Sequence, residues 1–198
     1  FKTYYDLHEN IKDSFNKPYL ISEQEILEDI HFELKRIVKD QSVADVEIGC
    51  FLSGGIDSSL TTALMQEQSD RAINTFSIGF EESFFDESEY AKNVSNILGT
   101  RHEVLTFTEK DAKLLIPELP KIYDEPFADS SQLPTLFVSN LASKSVKVSL
   151  SGDGGDELFC GYGRYIKSLD IYKKIIKIPP LLRTQFSNLY KLYSKLIY

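Results

Sequence analysis

Strand-like and helix-like patterns take turns along this chain. Four short apolar runs rich in β-branched residues, at 46–52, 73–78, 103–107 and 146–150, are separated by stretches of helical periodicity. Short apolar runs bounded by turns read as buried strands. The intervals are too long for hairpins, and parallel strands need crossovers of about a dozen residues or more, usually helices. The alternation therefore predicts an α/β fold, a doubly wound parallel sheet with helices on both faces.

The helices are bounded by recognisable signals. Ser22 with Glu25 three residues on predicts a capping box, and Ile26, Ile30, Leu34, Ile37 and Val38 then share one helical face. Asp86 is the expected cap of a helix over 87–98, with Glu89 at the box position and Gly99 just past the end. Thr108 caps 109–116, which Pro117 closes, and Ser130 or Ser131 opens a helix to about Ala142. Residues 1–21 are weakly patterned and read as a linker, and 22–165 as the core. Residues 166–198 predict two helices around Pro179-Pro180, with Leu189, Leu192, Tyr193 and Leu196 on one apolar face.

Composition excludes several function classes. The 198 residues are 42% hydrophobic and carry a net charge of −8. Eight Lys/Arg against one Asp lie in 164–198, so the body is strongly acidic, which argues against general nucleic-acid binding. The basic tail reads first as a solvated helix face. No apolar run reaches the roughly 20 residues that span a bilayer, and the first residues have no signal-peptide pattern. Cys50 and Cys160 lie far apart, with three His in the chain, so neither a zinc site nor a disulfide framework is expected and a cytoplasmic setting fits. The only Met is Met65, which leads us to expect a piece of a longer protein.

Chemistry concentrates in two glycine-rich turns. Directly after the first strand comes Ser53-Gly54-Gly55-Ile56-Asp57-Ser58-Ser59, and a helix follows. Such a junction aims backbone N–H groups and the helix dipole at one spot, which suits phosphate. Gly54 and Gly55 permit close backbone approach, and Ser53 and Ser58 add hydroxyl donors. The Lys of a Walker A loop is missing, and so is a G-x-G-x-x-G. A carboxylate beside phosphate is repulsive unless a cation lies between, so Asp57 implies Mg²⁺. The alternative, a glycine turn with a helix cap, would explain a bare S-G-G but not the whole run. The second turn follows the fourth strand: Ser151-Gly152-Asp153-Gly154-Gly155-Asp156-Glu157-Leu158-Phe159-Cys160-Gly161-Tyr162. Three acids within five residues again call for a counter-charge. With strand one central, strands two and three on one side and strand four on the other, both turns open into one crevice at the carboxyl ends of the strands.

The first turn resembles the PP-loop of ATP pyrophosphatases, which cleave ATP between the α and β phosphates. The second resembles the S-G-[DE]-G-[GS]-D-E-[LV]-F-G-G-Y signature of asparagine synthetases, with Cys160 where that family usually has Gly. The resemblance runs from about Ser22 to Tyr165. It implies the adenine-nucleotide alpha-hydrolase type of sheet and the substrates ATP, aspartate and ammonia, with Mg²⁺ as cofactor. It also implies asparagine formation through a β-aspartyl-AMP intermediate. ATP and pyrophosphate contacts fall to Leu52, Ser53, Gly54, Gly55, Asp57, Ser58, Ile78, Ser151 and Gly152. Asp57 and Asp156 become the metal ligands and Asp153 the catalytic residue, linked to forming the intermediate. Phe76-Ser77-Ile78-Gly79-Phe80 is similar to a strand whose end packs on adenine. The segment from Tyr123 to Ser131 is similar to one beside the acceptor, which assigns Asp129 and Glu157 there. His102 is read as structural.

The resemblance further implies a glutaminase domain ahead of residues 1–21 in a full-length chain, with a homodimer left open. It places a later lysine that assists adenylylation outside this sequence, so the 198 residues alone are expected to be inactive. Two rivals remain: amidation of another carboxylate, in surface-polysaccharide or antibiotic pathways, and a non-catalytic nucleotide-binding module. The second would be marked by loss of Asp57 or Asp156, and both are present. A tRNA-thiolating enzyme would need paired cysteines and a basic body.

Overall fold

The computed structural model describes residues 3–187, apart from 19, 83, 85, 127, 181 and 186. Among the described residues, strands β1 (Ile48–Phe51), β2 (Asn74–Phe80), β3 (Arg101–Phe107) and β4 (Val148–Leu150) form one sheet in the order β3-β2-β1-β4. All pairings are parallel, with Cys50 opposite both Thr75 and Leu150, and Thr75 opposite His102. The central position of β1 and the divergence of β2 and β4 from it are those expected.

Among the described residues the helices include α1 (Leu7–Asn16), α2 (Glu23–Gln41), α3 (Ile56–Glu67), α4 (Ser88–Leu98), α5 (Glu109–Leu115), α6 (Leu119–Ile122), α7 (Gln132–Ala142), α8 (Gly155–Phe159) and α9 (Gly163–Ile175). On one face of the sheet, Val38 of α2 and Leu64 and Met65 of α3 pack with Cys50 and Ile73. On the other, Val138, Leu141 and Ala142 of α7 pack with Phe76 and Val146. The sheet is thus covered on both faces, as its near-continuous apolar strands require. Two apolar runs begin before their ladders do. Ile73 and Val146 are core residues, but the Ile73 N–H is taken by Gln66 Oε1 and the Val146 N–H by the Ala142 carbonyl. Burial extends the apolar pattern beyond the paired strand.

Local signals hold where they are self-contained. Ser22 and Glu25 make the reciprocal capping box on α2, and Thr108 and Asp111 make another on α5. Gly99 ends α4 at φ 73. Asp86 is a correction: α4 begins one residue later, with Glu87 at the N-cap and no side-chain cap bond. Asp86 Oδ1 instead accepts from the N–H groups of Ser88 (3.1 Å) and Phe80 (3.4 Å), tying the end of β2 to the start of α4. Glu89 pairs with Lys92 at 3.9 Å rather than closing a box. Pro117 does not end the helical path, which continues through a 3₁₀ turn (Ile116–Glu118) into α6. The segment read as a linker carries α1, capped by Asp6 and without a buried residue. The apolar face at Leu189, Leu192, Tyr193 and Leu196 lies outside the described residues.

His102 fills a structural position. Its ring lies between Thr75 Oγ1 (3.0 Å, at Nδ1) and Ser77 Oγ (3.2 Å, at Nε2) on β2. Burial pushes its pKa below the ordinary value.

Candidate active site

The first glycine turn leaves β1 and enters α3. Leu52 is buried, and its N–H donates to the Phe76 carbonyl at 2.9 Å, which carries the β1–β2 ladder one residue past the strand. The chain then turns through Gly54 at φ 85, a conformation that costs a side-chain-bearing residue about 1–3 kcal/mol. A Cβ there would also stand 2.6 Å from the backbone nitrogen of Ala91. Gly54 therefore seats the turn on the first turns of α4 rather than lining the cleft. Ser53 and Ser58 knit the turn together. Their hydroxyls are 2.9 Å apart, Ser58 Oγ accepts from the Ser53 N–H at 3.2 Å, and Ser53 Oγ accepts from the Gly55 N–H at 3.2 Å.

The second turn leaves β4 and packs into the first. A Cβ on Gly152 would meet the Ser58 nitrogen at 2.6 Å, and one on Gly155 would meet Asp57 Oδ1 at 2.7 Å. Glycine at these two positions lets the backbone of one turn lie directly on the other. Beyond them, Gly161 lies against the Asp156 carboxylate and donates its N–H to the Asp156 carbonyl at 3.0 Å. Cys160, where glycine would be usual, is exposed and left-handed at φ 58. That torsion is the physical reason for a glycine preference.

Together the turns line a cleft of about 1060 Å³ at the carboxyl ends of the strands. Ser53, Gly55, Asp57 and Ser58 line it from the first turn. Ser151, Gly152, Asp153, Asp156 and Glu157 line it from the second, and Asp129 from the entry to α7. Five carboxylates thus face one cleft whose described lining has no Lys or Arg. Asp153 accepts from Ser151 Oγ at 3.1 Å. Glu157 accepts from the Tyr162 hydroxyl at 2.8 Å, which pushes the Tyr162 pKa up. Asp129 accepts from the hydroxyl and N–H of Ser131, and these bonds hold its carboxyl below the usual range.

Among the described residues no group of three or more His, Cys, Asp or Glu side chains stands at metal-binding spacing. The donor set nonetheless fits Mg²⁺, which takes one or two carboxylates and fills its other positions with water and substrate phosphate. Asp57 and Asp156, which flank the two interlocked turns, could hold it.

A smaller recess of about 190 Å³ adjoins the cleft and shares Phe51, Ser53, Thr135 and Val138 with it. Leu52 and Ile78 line this recess, together with Phe76, Phe80 and Pro134. Its size and apolar walls suit a planar base. Thr135, Val138 and Pro134 of α7, and Glu87, went unnoticed in the sequence, where α7 shows only an apolar helix. Tyr162 lay in plain view within the second motif.

The chain matches the family model described as asparagine synthase over residues 30–196. This chain belongs to the asparagine synthase family. It is 42% identical over 191 residues to the "Putative asparagine synthetase [glutamine-hydrolyzing] 2" of Methanocaldococcus jannaschii, covering 95% of this chain and 35% of that protein. It is 37% identical over 187 residues to "Asparagine synthetase [glutamine-hydrolyzing] 1" of Bacillus subtilis, covering 90% of this chain and 27% of that one. The chain thus spans about a third of the length of these asparagine synthase relatives. Among solved structures it is similar to an NH3-dependent NAD synthetase from Campylobacter jejuni, at 17% identity and a TM-score of 0.45, covering 72% of this chain and 62% of that one. No helix among the described residues is long and apolar enough to cross a membrane.

Proposed function

We propose that this chain performs the synthetase chemistry of asparagine formation: ATP activates the aspartate β-carboxylate, and ammonia displaces AMP from the resulting β-aspartyl-AMP. The observation that carries this reading is the packing of Gly152 and Gly155 onto Asp57 and Ser58. It joins a phosphate-type turn and an acid-rich turn into one cleft. Family membership supports the reaction class.

In this account the β,γ-phosphates lie in the turn from Ser53 to Ser58. The hydroxyls of Ser53 and Ser58, which now bond each other, exchange that contact for phosphate oxygens. The N–H groups at the start of α3 face the charge that develops on the leaving pyrophosphate. Mg²⁺ held by Asp57 and Asp156 would supply charge neutralisation there. The base occupies the recess beside Leu52 and Ile78, and Ser151 and Gly152 border the sugar and α-phosphate. Aspartate enters on the side of Asp129 and Glu157. An oxygen of its β-carboxylate attacks the α-phosphorus, the bond to pyrophosphate breaks, and Asp153 stands beside the reacting centre. Ammonia then adds to the acyl carbon, and AMP leaves with the oxygen that attacked. Enclosure of the acyl-adenylate guards it from water. Glutamine hydrolysis in a separate domain of the full-length protein supplies the ammonia.

Isotope transfer tests the intermediate. Aspartate labelled with ¹⁸O in its β-carboxylate should place one labelled oxygen in AMP. Label recovered in inorganic phosphate would mean an acyl phosphate and would contradict the scheme.

A further inference from the structure

Three contacts fix Tyr162 at the entry to α9. Its hydroxyl donates to Glu157 Oε1 of α8 at 2.8 Å. The Arg164 guanidinium stacks on its ring, with Cζ 4.1 Å from the centroid. The Tyr165 ring meets it edge-on at 5.6 Å. Arg164 lies in the first turn of α9, where a cation opposes the helix dipole. Helix stability therefore does not account for Arg164 at this place, whereas the stack on Tyr162 does.

Tyr162 and Glu157 both line the cleft. Two other acids there, Asp129 and Asp153, are each held by a serine two residues away. Glu157 alone of these three is held from the next helix. The bond restrains a long side chain whose ordering would otherwise weaken binding. It also uses only one carboxylate oxygen: among the described residues Oε2 takes no hydrogen bond. The bond to Glu157 pushes the Tyr162 pKa up, so the phenol keeps its proton and stays a donor. A carboxylate with one oxygen tied and the other open suits a cationic donor. The overall charge points the same way. Five carboxylates and no Lys or Arg in the described lining disfavour a purely anionic acceptor, even once Mg²⁺ has taken Asp57 and Asp156. We propose that Tyr162 is a positioning residue, which by holding Oε1 of Glu157 aims Oε2 at the ammonium group of an amino-acid acceptor. The proposal rests on the synthetase reading of the cleft. It narrows the acceptor to amino acids, against carboxylic acids that carry no ammonium group.

Steady-state pyrophosphate release by the full-length protein tests it, with aspartate as acceptor and succinate, which lacks the ammonium group, as competing inhibitor. Tyr162→Phe removes one oxygen and keeps the ring. It should raise the half-saturating aspartate concentration about fivefold or more, while the succinate inhibition constant and the half-saturating MgATP concentration move by less than about twofold. In a Glu157→Ala background the same substitution should add almost nothing, because both changes act through one carboxylate. Arg164→Ala should give a smaller rise of the same kind, which Arg164→Lys partly restores. Unchanged melting temperatures would show that the variants are folded. Equal weakening of aspartate and succinate, or a shift in MgATP instead, would make the bond a mere fastening of α8 to α9 and overturn the proposal. Additive effects of Tyr162→Phe and Glu157→Ala would also overturn it, and they decide alone if succinate does not inhibit. Absence of aspartate-dependent pyrophosphate release by the wild-type protein would instead defeat the underlying reading of the cleft.

Discussion

Gly152 and His102 show how much single residues decide here. Gly152 matters through the atom it lacks. Gly152→Ala would force a methyl group into the Ser58 backbone nitrogen, 2.6 Å away. Overpacking of this kind costs about 1–3 kcal/mol, so urea denaturation should show a loss of that size, and nucleotide binding should weaken because the turns part. His102 acts through its proton. Its folded-state pKa lies below the ordinary value of 6.5 because burial disfavours the charged ring. Below pH 6.5 the unfolded state therefore binds the proton first, and stability falls as pH drops through that window. The lowered carboxyls of Asp86, Asp111 and Asp129 act in the same direction, but below their ordinary value of 3.8. Melting curves between pH 7 and pH 5.5 should show a stability loss in the wild type that is smaller in His102→Gln. Equal slopes would remove His102 as the cause.

At the scale of elements, what the sequence reveals depends on how local the determining contact is. The capping box of α2 needs only Ser22 and Glu25, so four residues of sequence predict it. Ser22→Ala should cost about 1 kcal/mol, read as a shift in the denaturation midpoint. The start of α4 was misplaced by one residue because Asp86 is occupied by two backbone N–H groups, one of them on β2, and no local pattern reports that tie. Helix α1 carries Leu7, Ile11 and Phe15 at helical spacing, yet all three are exposed. Periodicity without burial gave too weak a signal. Thr135 and Val138 reach the cleft because α7 lies over β2 and β3, a placement fixed only by tertiary packing.

For the whole molecule, the decisive fact is that β1 and β4 are neighbours. Their following turns, nearly a hundred residues apart in sequence, meet because both leave the same end of a parallel sheet. Alternating strand and helix patterns made that topology legible, and the two glycine motifs made the chemistry legible. The recess was not, since it is made where β1, β2 and α7 converge. The most direct measurement is release of pyrophosphate by the full-length protein supplied with ATP, Mg²⁺, ammonia and L-aspartate, beside an Asp57→Ala variant. The account predicts asparagine and pyrophosphate in equal amounts, reduced about a hundredfold or more in the variant. Pyrophosphate release that ignores aspartate, or that survives in Asp57→Ala, would contradict it.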